Sequence, residues 1–215
     1  MPFSPDLIRS LEFPSMKLLS LRAAAFLALM IPAACSSVEA RNEAPDLPVA
    51  RWDFRPEGRE WTEASVAALA SHGRPLLEIV PQDIEAWCPG YDTASEAERK
   101  EFWVGLLSAL AKHESTWRPE AAGGGGKWFG LLQISPATAR GYGCQAQTAE
   151  ALKNGVANLS CAIRIMAVTV PRDGVVAANG RGVAADWGPF HQASKREEMR
   201  NWVRSQSYCA APSRT

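Results

Sequence analysis

Apolar residues recur at helical spacing most clearly in the stretch that begins at Ser95. Ser95 and Glu98 have the spacing of a capping box, in which each side chain bonds the backbone N–H of the other, so a helix is predicted to start there. Pro119 bounds the far end of this helix. Its apolar stripe is wide, as expected of a helix that faces a core, and comprises Phe102, Trp103, Leu106, Leu107 and Leu110.

Other stretches also have a helical period, and turn signals separate them. They are residues 60–73 with a stop at Gly73, a helix that starts at Ser135 and Pro136, residues 155–170 with a stop at Pro171, and residues 194–206. Strand signals are sparse. The predicted fold class is therefore mainly α, with long loops between the helices.

The same pattern divides the chain into four segments. They are a leader or signal peptide over residues 1–34, a tether over 35–57, a helical lead-in over 58–85 and a larger helical domain over 86–215. The tether is polar and contains prolines, which is typical of a segment without fixed structure.

The leader has the layout of a secretory signal. A short basic segment with Lys17 and Arg22 follows Met16, and an apolar run over residues 23–31 leads into small residues. That run is too short to span a bilayer as a mature helix. Whether the chain starts at Met1 or at Met16 stays open, and export is expected in either case.

The end of the leader allows two kinds of cleavage. The stretch IPAACSS resembles a bacterial lipobox, in which Cys35 is lipidated, although Pro32 stands where that motif usually has Leu. Ser36 after the cysteine resembles the sorting pattern of outer-membrane lipoproteins. The competing site is VEA before Arg41, which releases a soluble protein. We expect a periplasmic protein, anchored to the outer membrane at Cys35.

The cysteines refine this picture. Removal or lipidation of Cys35 leaves four cysteines in an oxidising compartment, and four cysteines allow three pairings. We favour Cys144–Cys161, which ties a short loop to the following helix, and Cys88–Cys209 by elimination. A four-cysteine zinc site is the alternative, but the sequence contains no C-x-x-C pair.

Charge excludes one class of partner. The chain has 23 Lys and Arg residues against 23 Asp and Glu residues, and no basic stripe. The electrostatic footprint of a nucleic-acid binder is therefore missing. We expect a monomer without a nucleic-acid partner, which meets a membrane only through a possible lipid anchor.

Glu114 is a candidate for chemistry. It follows Leu110 by four residues and Leu107 by seven, so it shares the apolar face of its helix. Burial raises the pKa of a carboxyl group, and a carboxylic acid protonated near neutral pH can protonate the leaving oxygen of a glycoside. The alternative is a structural glutamate paired with Arg or Lys.

Two motifs carry a family resemblance. HEST, with Glu114 and Ser115, and GLLQIS, with Gly130, Leu131 and Gln133, resemble the signature of SLT-type lytic transglycosylases and the related goose-type lysozymes. The similarity covers roughly residues 88–202. It implies a lysozyme-like helical domain, with long loops that line a glycan groove, for the segment 86–215.

The resemblance also implies roles. Glu114 is expected to act first as general acid and then as base, and Ser115 to orient it or the sugar. Gly130 is expected to let the backbone approach the glycan, Leu131 to bind substrate as part of the same segment, and the Gln133 amide to bind an N-acetyl group.

The family's A-Y-N motif is missing. VAADWGPF occupies the corresponding region, with Asp186 and Trp187 in place of the usual residues. We expect Trp187 and Trp128 to stack on sugar rings, and Trp117 and Phe129 to lie beside the site.

The implied activity is cleavage of the β-1,4 bond between N-acetylmuramic acid and N-acetylglucosamine in peptidoglycan, with a 1,6-anhydro product. Two alternatives stay open: a muramidase that uses Asp186 to position water, and a non-catalytic wall-binding lipoprotein.

No metal or cofactor is predicted. His113 and Glu114 do not extend to H-E-x-x-H, because position 117 is Trp, and the Gly run at 123–126 lacks a Ser or Thr after Lys127.

Overall fold

Helices dominate the described residues, 47–211, of the computed structural model. The helices are α1 (Gly58–Ala70), α2 (Arg74–Glu78), α3 (Ile84–Trp87), α4 (Glu96–Ser115), α5 (Pro136–Gly141), α6 (Ala149–Leu152), α7 (Gly155–Asp173) and α8 (Ala193–Arg204). Short 3₁₀ turns cover Tyr91–Thr93, Gly182–Ala185, Gly188–His191 and Ser207–Cys209. Strands β1 (Ala122–Gly123) and β2 (Trp128–Phe129) form one small antiparallel hairpin. The predicted mainly α, lysozyme-like fold class is confirmed.

Helix α4 is the centre of the fold. The predicted capping box is present: the Ser95 Oγ accepts a hydrogen bond from the Glu98 N–H at 3.3 Å, and the Glu98 carboxylate accepts one from the Ser95 N–H at 2.7 Å. Every residue from 102 to 111 is buried, because α1, α2 and α8 pack around the helix. The sequence predicted an apolar stripe, and the structure shows burial on all sides.

Helix α7 extends beyond its predicted end. Pro171 was expected to stop it, but the helix continues to Asp173 and ends where Gly174 adopts a φ of 68°. A proline removes the N–H that would bond the carbonyl four residues back, and its ring crowds that carbonyl. Only the end of α7 follows Pro171, and the bond from the Gly174 N–H to the Val170 carbonyl, at 2.8 Å, closes the last turn.

The N-terminal part of the described chain belongs to the same core. Residues 47–57 were assigned to the tether, but Trp52 is fully buried, donates from Nε1 to the Thr62 hydroxyl at 2.9 Å and packs edge-on against Trp61. The lead-in 58–85 likewise packs on α7 through α1 and α2. The expectation of an unfolded tether is therefore wrong for residues 47–57.

Both predicted cysteine pairs are disulfides in the structure. Cys88–Cys209 joins the end of α3 to the last 3₁₀ turn, with Cα atoms 4.5 Å apart. Cys144–Cys161 joins the loop after α5 to α7, with Cα atoms 5.2 Å apart. Together they attach the C-terminal turn and one loop to the helical core.

The predicted leader, Cys35 and the first part of the predicted tether lie outside the described residues. Within residues 47–211, no helix has the length and apolar character needed to cross a membrane.

Candidate active site

One cleft, with a volume of about 370 Å³, opens at the C-terminal end of α4. The hairpin β1–β2, the segment around position 187 and the first turn of α8 form its other walls. The side chains that bear on its chemistry are Glu114, Trp128, Gln133, Asp186, Trp187 and Lys195.

Glu114 lies on the wall of this cleft in the last turn of α4. Burial raises the pKa of its carboxyl group to about 7, and the positive charge of Lys195 partly opposes this shift. Among residues 47–211, no hydrogen bond or ion pair reaches the carboxyl group. The alternative of a structural glutamate in an ion pair is therefore wrong, and the proton is available to a ligand.

Ser115 closes the helix. Its Oγ donates to the Ala111 carbonyl and accepts from the Arg118 N–H, both at 3.2 Å, and the residue is buried. The next two residues, Thr116 and Trp117, both have a φ of 53°. The hydroxyl of Ser115 thus acts on the backbone that supports Glu114, and we find no contact between it and the carboxyl group.

The GLLQ segment is a tight turn. Phe129 and Ile134 bond each other's backbone at 3.0 Å on either side of it. Gly130 has a φ of 82°, and a Cβ at this position would collide with the side chain of Asn158 and the backbone carbonyl of residue 152. A glycine is needed here for packing inside the protein. The expected approach of a glycan to Gly130 finds no support, since the residue does not line the cleft.

Asn158 on α7 was not predicted as a site residue, although it holds this turn. It is fully buried, its Nδ2 donates to the carbonyls of Phe129 and Leu152, and its Oδ1 accepts from the Leu132 N–H, all at 2.9 Å. The sequence offers one indication of this role, since Asn158 is a polar residue on the apolar face of α7. Leu131 was expected to bind substrate, but it is fully buried and does not line the cleft, so it supports the turn from the core side.

Gln133 reaches the cleft from this turn. Its Nε2 donates to the carbonyl of Gly130 at 2.9 Å and to that of Ala121 at 3.3 Å, which fixes the orientation of the amide. The amide oxygen lies beside Gly123, and no described residue donates a hydrogen bond to it. Gln133 therefore offers an acceptor to the cleft.

The two cleft tryptophans differ in exposure. Trp128 is 46% exposed, and its ring lies against Gly124, where a Cβ would collide with it. Trp187 is only 3% exposed, and its Nε1 donates to the Leu132 carbonyl at 2.8 Å. Trp128 therefore presents a ring to solvent, whereas Trp187 is a fixed part of the wall.

Trp117 and Phe129 do not line the cleft. The Nε1 of Trp117 donates to the Ser108 carbonyl at 2.9 Å, and Phe54 packs edge-on against its ring. Both aromatic residues are close to the site residues in sequence, but neither side chain reaches the cleft.

A second carboxyl group, that of Asp186, also lines the cleft. The Tyr142 hydroxyl donates to it at 3.4 Å. Partial burial raises the pKa of Asp186, although the hydrogen bond from Tyr142 and the charge of Arg172 oppose the shift. Two carboxyl groups with raised pKa values therefore share one cleft.

Helix α8 supplies groups that no sequence motif indicated. Lys195 lines the cleft, and Glu198 accepts hydrogen bonds from His113 at 2.8 Å, Lys112 at 2.7 Å and Arg51 at 2.9 Å. These bonds hold the pKa of Glu198 well below its usual range. They join the end of α4 to α8 across the base of the site.

A metal centre has no support in the part of the chain that the structure describes. No three His, Cys, Asp or Glu side chains between residues 47 and 211 are grouped so that they could hold an ion.

Comparisons with known proteins agree with this architecture. Three solved structures of Bd0314 DslA are similar to the chain: wild-type form 2 and two mutants, in each of which a glutamate is replaced by glutamine. Each is 29% identical, and the matches cover 76% of this chain and 98–99% of those chains, with TM-scores of 0.68–0.70. No curated protein matches the sequence.

The family comparison covers the centre of the site. Residues 93–179 match the family model of the transglycosylase SLT domain. This interval contains Glu114 and the turn at 130–133, and it ends before Asp186 and α8. The resemblance that the sequence motifs indicated is therefore confirmed over residues 93–179, which are similar to the transglycosylase SLT domain.

Proposed function

We propose that this protein is a peptidoglycan lytic transglycosylase, which cleaves the β-1,4 bond between N-acetylmuramic acid and N-acetylglucosamine with Glu114 as the single acid and base. One observation carries the proposal. The Glu114 carboxyl group lines the cleft without a hydrogen bond or ion pair to any described residue, and burial raises its pKa to about 7. A carboxylic acid of this kind is protonated near neutral pH and can give its proton to a leaving oxygen.

The reaction consists of two proton transfers through the same carboxyl group. Glu114 first protonates the glycosidic oxygen as the bond to the anomeric carbon breaks, and the acetamido oxygen of the substrate attacks that carbon. Glu114, now ionised, then removes the proton from the 6-hydroxyl, whose oxygen displaces the acetamido group and closes the 1,6-anhydro ring. The carboxyl group ends the cycle protonated, and neither water nor a cofactor is consumed.

Two side chains of the cleft can contact the substrate directly. The unpartnered amide oxygen of Gln133 can accept a hydrogen bond from the N–H of an N-acetyl group, since its own amide nitrogen is already bonded to the backbone. Trp128 can pack its exposed ring against a sugar face. Ser115, Gly130, Leu131 and Trp187 then contribute as the scaffold that places these groups.

A hydrolytic muramidase is a second candidate, favoured by the position of Asp186 in the same cleft. An inverting hydrolase needs a second carboxylate to activate water, roughly 6.5–9.5 Å from the acid. The carboxyl group must be ionised for this role, and partial burial of Asp186 works against ionisation. For this reason the transglycosylase is the preferred proposal.

Product analysis tests the proposal. Purified peptidoglycan is digested with the protein and with an Asp186→Asn variant, and the soluble fragments are weighed by mass spectrometry. We expect anhydro-muropeptides from both proteins. Fragments that carry an added water, and that disappear in Asp186→Asn, would instead establish the muramidase. Glycan binding without any released fragment would support the non-catalytic wall-binding lipoprotein.

The pH dependence of cleavage gives an independent prediction. Because the pKa of Glu114 is raised to about 7, the acid is protonated below this pH and ionised above it. The initial rate on peptidoglycan should therefore stay high at mildly acidic pH and decline as the pH rises through about 7, roughly tenfold per further pH unit. Rates measured in buffers of constant ionic strength from pH 5 to 9 check this. A rate that does not change across this range would contradict the role of Glu114.

The setting of the enzyme is part of the proposal. Two disulfides are typical of exported proteins, and a peptidoglycan substrate lies outside the cytoplasmic membrane. We therefore infer an exported, periplasmic monomer that binds glycan strands and no nucleic acid, with lipidation at Cys35 as its attachment to the outer membrane.

A further inference from the structure

Lys195 is a cationic side chain of the cleft. It lies in the first turn of α8 and lines the same cleft as Glu114. Within the described residues, it forms neither a hydrogen bond nor an ion pair. A half-buried lysine without a partner keeps its charge free to act on a neighbouring group.

Other charged and titratable groups at the cleft already have partners. His113 on α4 bonds Glu198 on α8, which also holds two further cationic side chains. Asp186, from the segment before the third 3₁₀ turn, bonds Tyr142 and is influenced by the charges of residues 172 and 173. The hairpin contributes no charged side chain to the lining. Lys195 is the one cation in this lining that acts on Glu114.

We propose that Lys195 is a positioning residue for the acid–base cycle, whose ammonium group stabilises the carboxylate form of Glu114 between the two proton transfers. This inference rests on the proposed function. Burial stabilises the protonated acid that starts the reaction, but it also opposes the carboxylate that the first transfer creates. A nearby ammonium group offsets part of that cost through the attraction of opposite charges.

Helix α8 lies outside the residues that match the SLT family model, and its contribution to the cleft is Lys195. The contacts of Glu198 with His113 and Arg51 lock α8 onto the end of α4, and Lys195 precedes Glu198 by one helical turn. These contacts hold the first turn of α8 in place, so that Lys195 lines the cleft. Its ammonium group forms no ion pair with any described residue.

The test compares Lys195→Met, which removes the charge, with Lys195→Arg, which keeps it. Two readouts are taken on the purified protein. One is the pH profile of kcat and KM on peptidoglycan. The other is the titration of the Glu114 carboxyl group by ¹³C NMR on glutamate-labelled protein, assigned with Glu114→Gln. We expect Lys195→Met to move the Glu114 titration and the alkaline limb of kcat to higher pH. We also expect kcat to fall about five- to tenfold while KM changes less than about twofold.

Two controls separate this role from a structural one. Lys195→Arg should restore both the titration and kcat, and Lys153→Met, which removes a lysine paired with Glu150 outside the cleft, should change neither. High salt should move the wild-type titration towards that of Lys195→Met and leave the variant unchanged.

The outcomes are distinguishable from those of the proposed function. If Lys195→Met is folded and leaves both the Glu114 titration and kcat unchanged, the inference is overturned. If the wild-type protein releases no fragments from peptidoglycan, the proposed function fails. The NMR titration then still decides whether Lys195 acts on the Glu114 carboxylate.

Discussion

Replacement of Glu114 by glutamine is expected to reduce cleavage of peptidoglycan by about three orders of magnitude, because both proton transfers pass through this carboxyl group. Glutamine has nearly the same shape but can neither give nor take the proton. The measurement is the rate of release of soluble fragments. Glu60→Gln, an exposed position on α1 that does not line the cleft, serves as the matched control and should keep the wild-type rate. Equal rates in all three proteins would exclude Glu114 as the acid.

The same variant should be more stable than the wild type at alkaline pH. The pKa of Glu114 lies near 7 in the folded protein and at the ordinary value of 4.5 in the unfolded chain. Between these values the folded state binds more protons, so stability is lost as the pH rises from about 4.5 to about 7. Glutamine carries no such cost, and Glu114→Gln should therefore gain about 2 kcal/mol at pH 8, a value reduced for partial solvent screening.

Urea unfolding at pH 4 and pH 8 checks this gain. At pH 4 the wild-type carboxyl group is protonated in the folded state and mostly protonated in the unfolded state, so wild type and variant should be about equally stable. The difference should appear only at pH 8. A stability difference that is the same at both pH values would contradict burial of an ionised carboxylate as its cause.

Loss of the Cys88–Cys209 disulfide is expected to destabilise the protein more than loss of Cys144–Cys161. The first closes a loop with a sequence separation of 121 residues and the second a loop of 17. In the chain-entropy description, the longer loop restricts the unfolded chain more, which corresponds to about 4–5 kcal/mol against about 3 kcal/mol. The two double alanine variants are compared by urea unfolding under oxidising conditions.

Reduction of the wild-type protein is the control for this comparison. A chemical reductant should lower stability by more than either double variant alone, because it opens both loops. Neither disulfide contributes a side chain to the cleft, so each folded variant should retain fragment release at a temperature where it is still native. If removal of Cys144–Cys161 destabilises the protein more than removal of Cys88–Cys209, the entropy of the unfolded chain does not determine which disulfide stabilises more.

Much of the helical architecture could be predicted from the sequence. The capping box at Ser95, the N-cap at Ser135 and the apolar periods of α7 and α8 depend on residues three or four positions apart, so they can be identified without tertiary information. Helix ends were less certain. Pro171 looked like a stop, yet the surrounding hydrogen bonds carried α7 two residues further.

The motifs indicated a glutamate that the structure places in the cleft, but they also indicated residues that do not line it. Ser115, Gly130 and Leu131 are needed for the helix end and the turn, and their contacts lie inside the protein. A motif records which residue types a site needs, and it does not separate groups that touch a ligand from groups that place them. Trp187 is buried for a similar reason, since its ring fills the wall of the cleft.

Most of the long helices, the even number of cysteines available for disulfides and the candidate acid can be identified from the sequence alone, because short-range periodicity, capping and residue counts need no tertiary information. The cysteine pairing and the groups that surround the acid depend on how distant segments pack. Lys195 and Asp186 follow Glu114 by more than 70 residues, and Arg51 precedes it by more than 60. Their meeting depends on the packing of α8 and of residues 47–57 against α4, which no local pattern encodes.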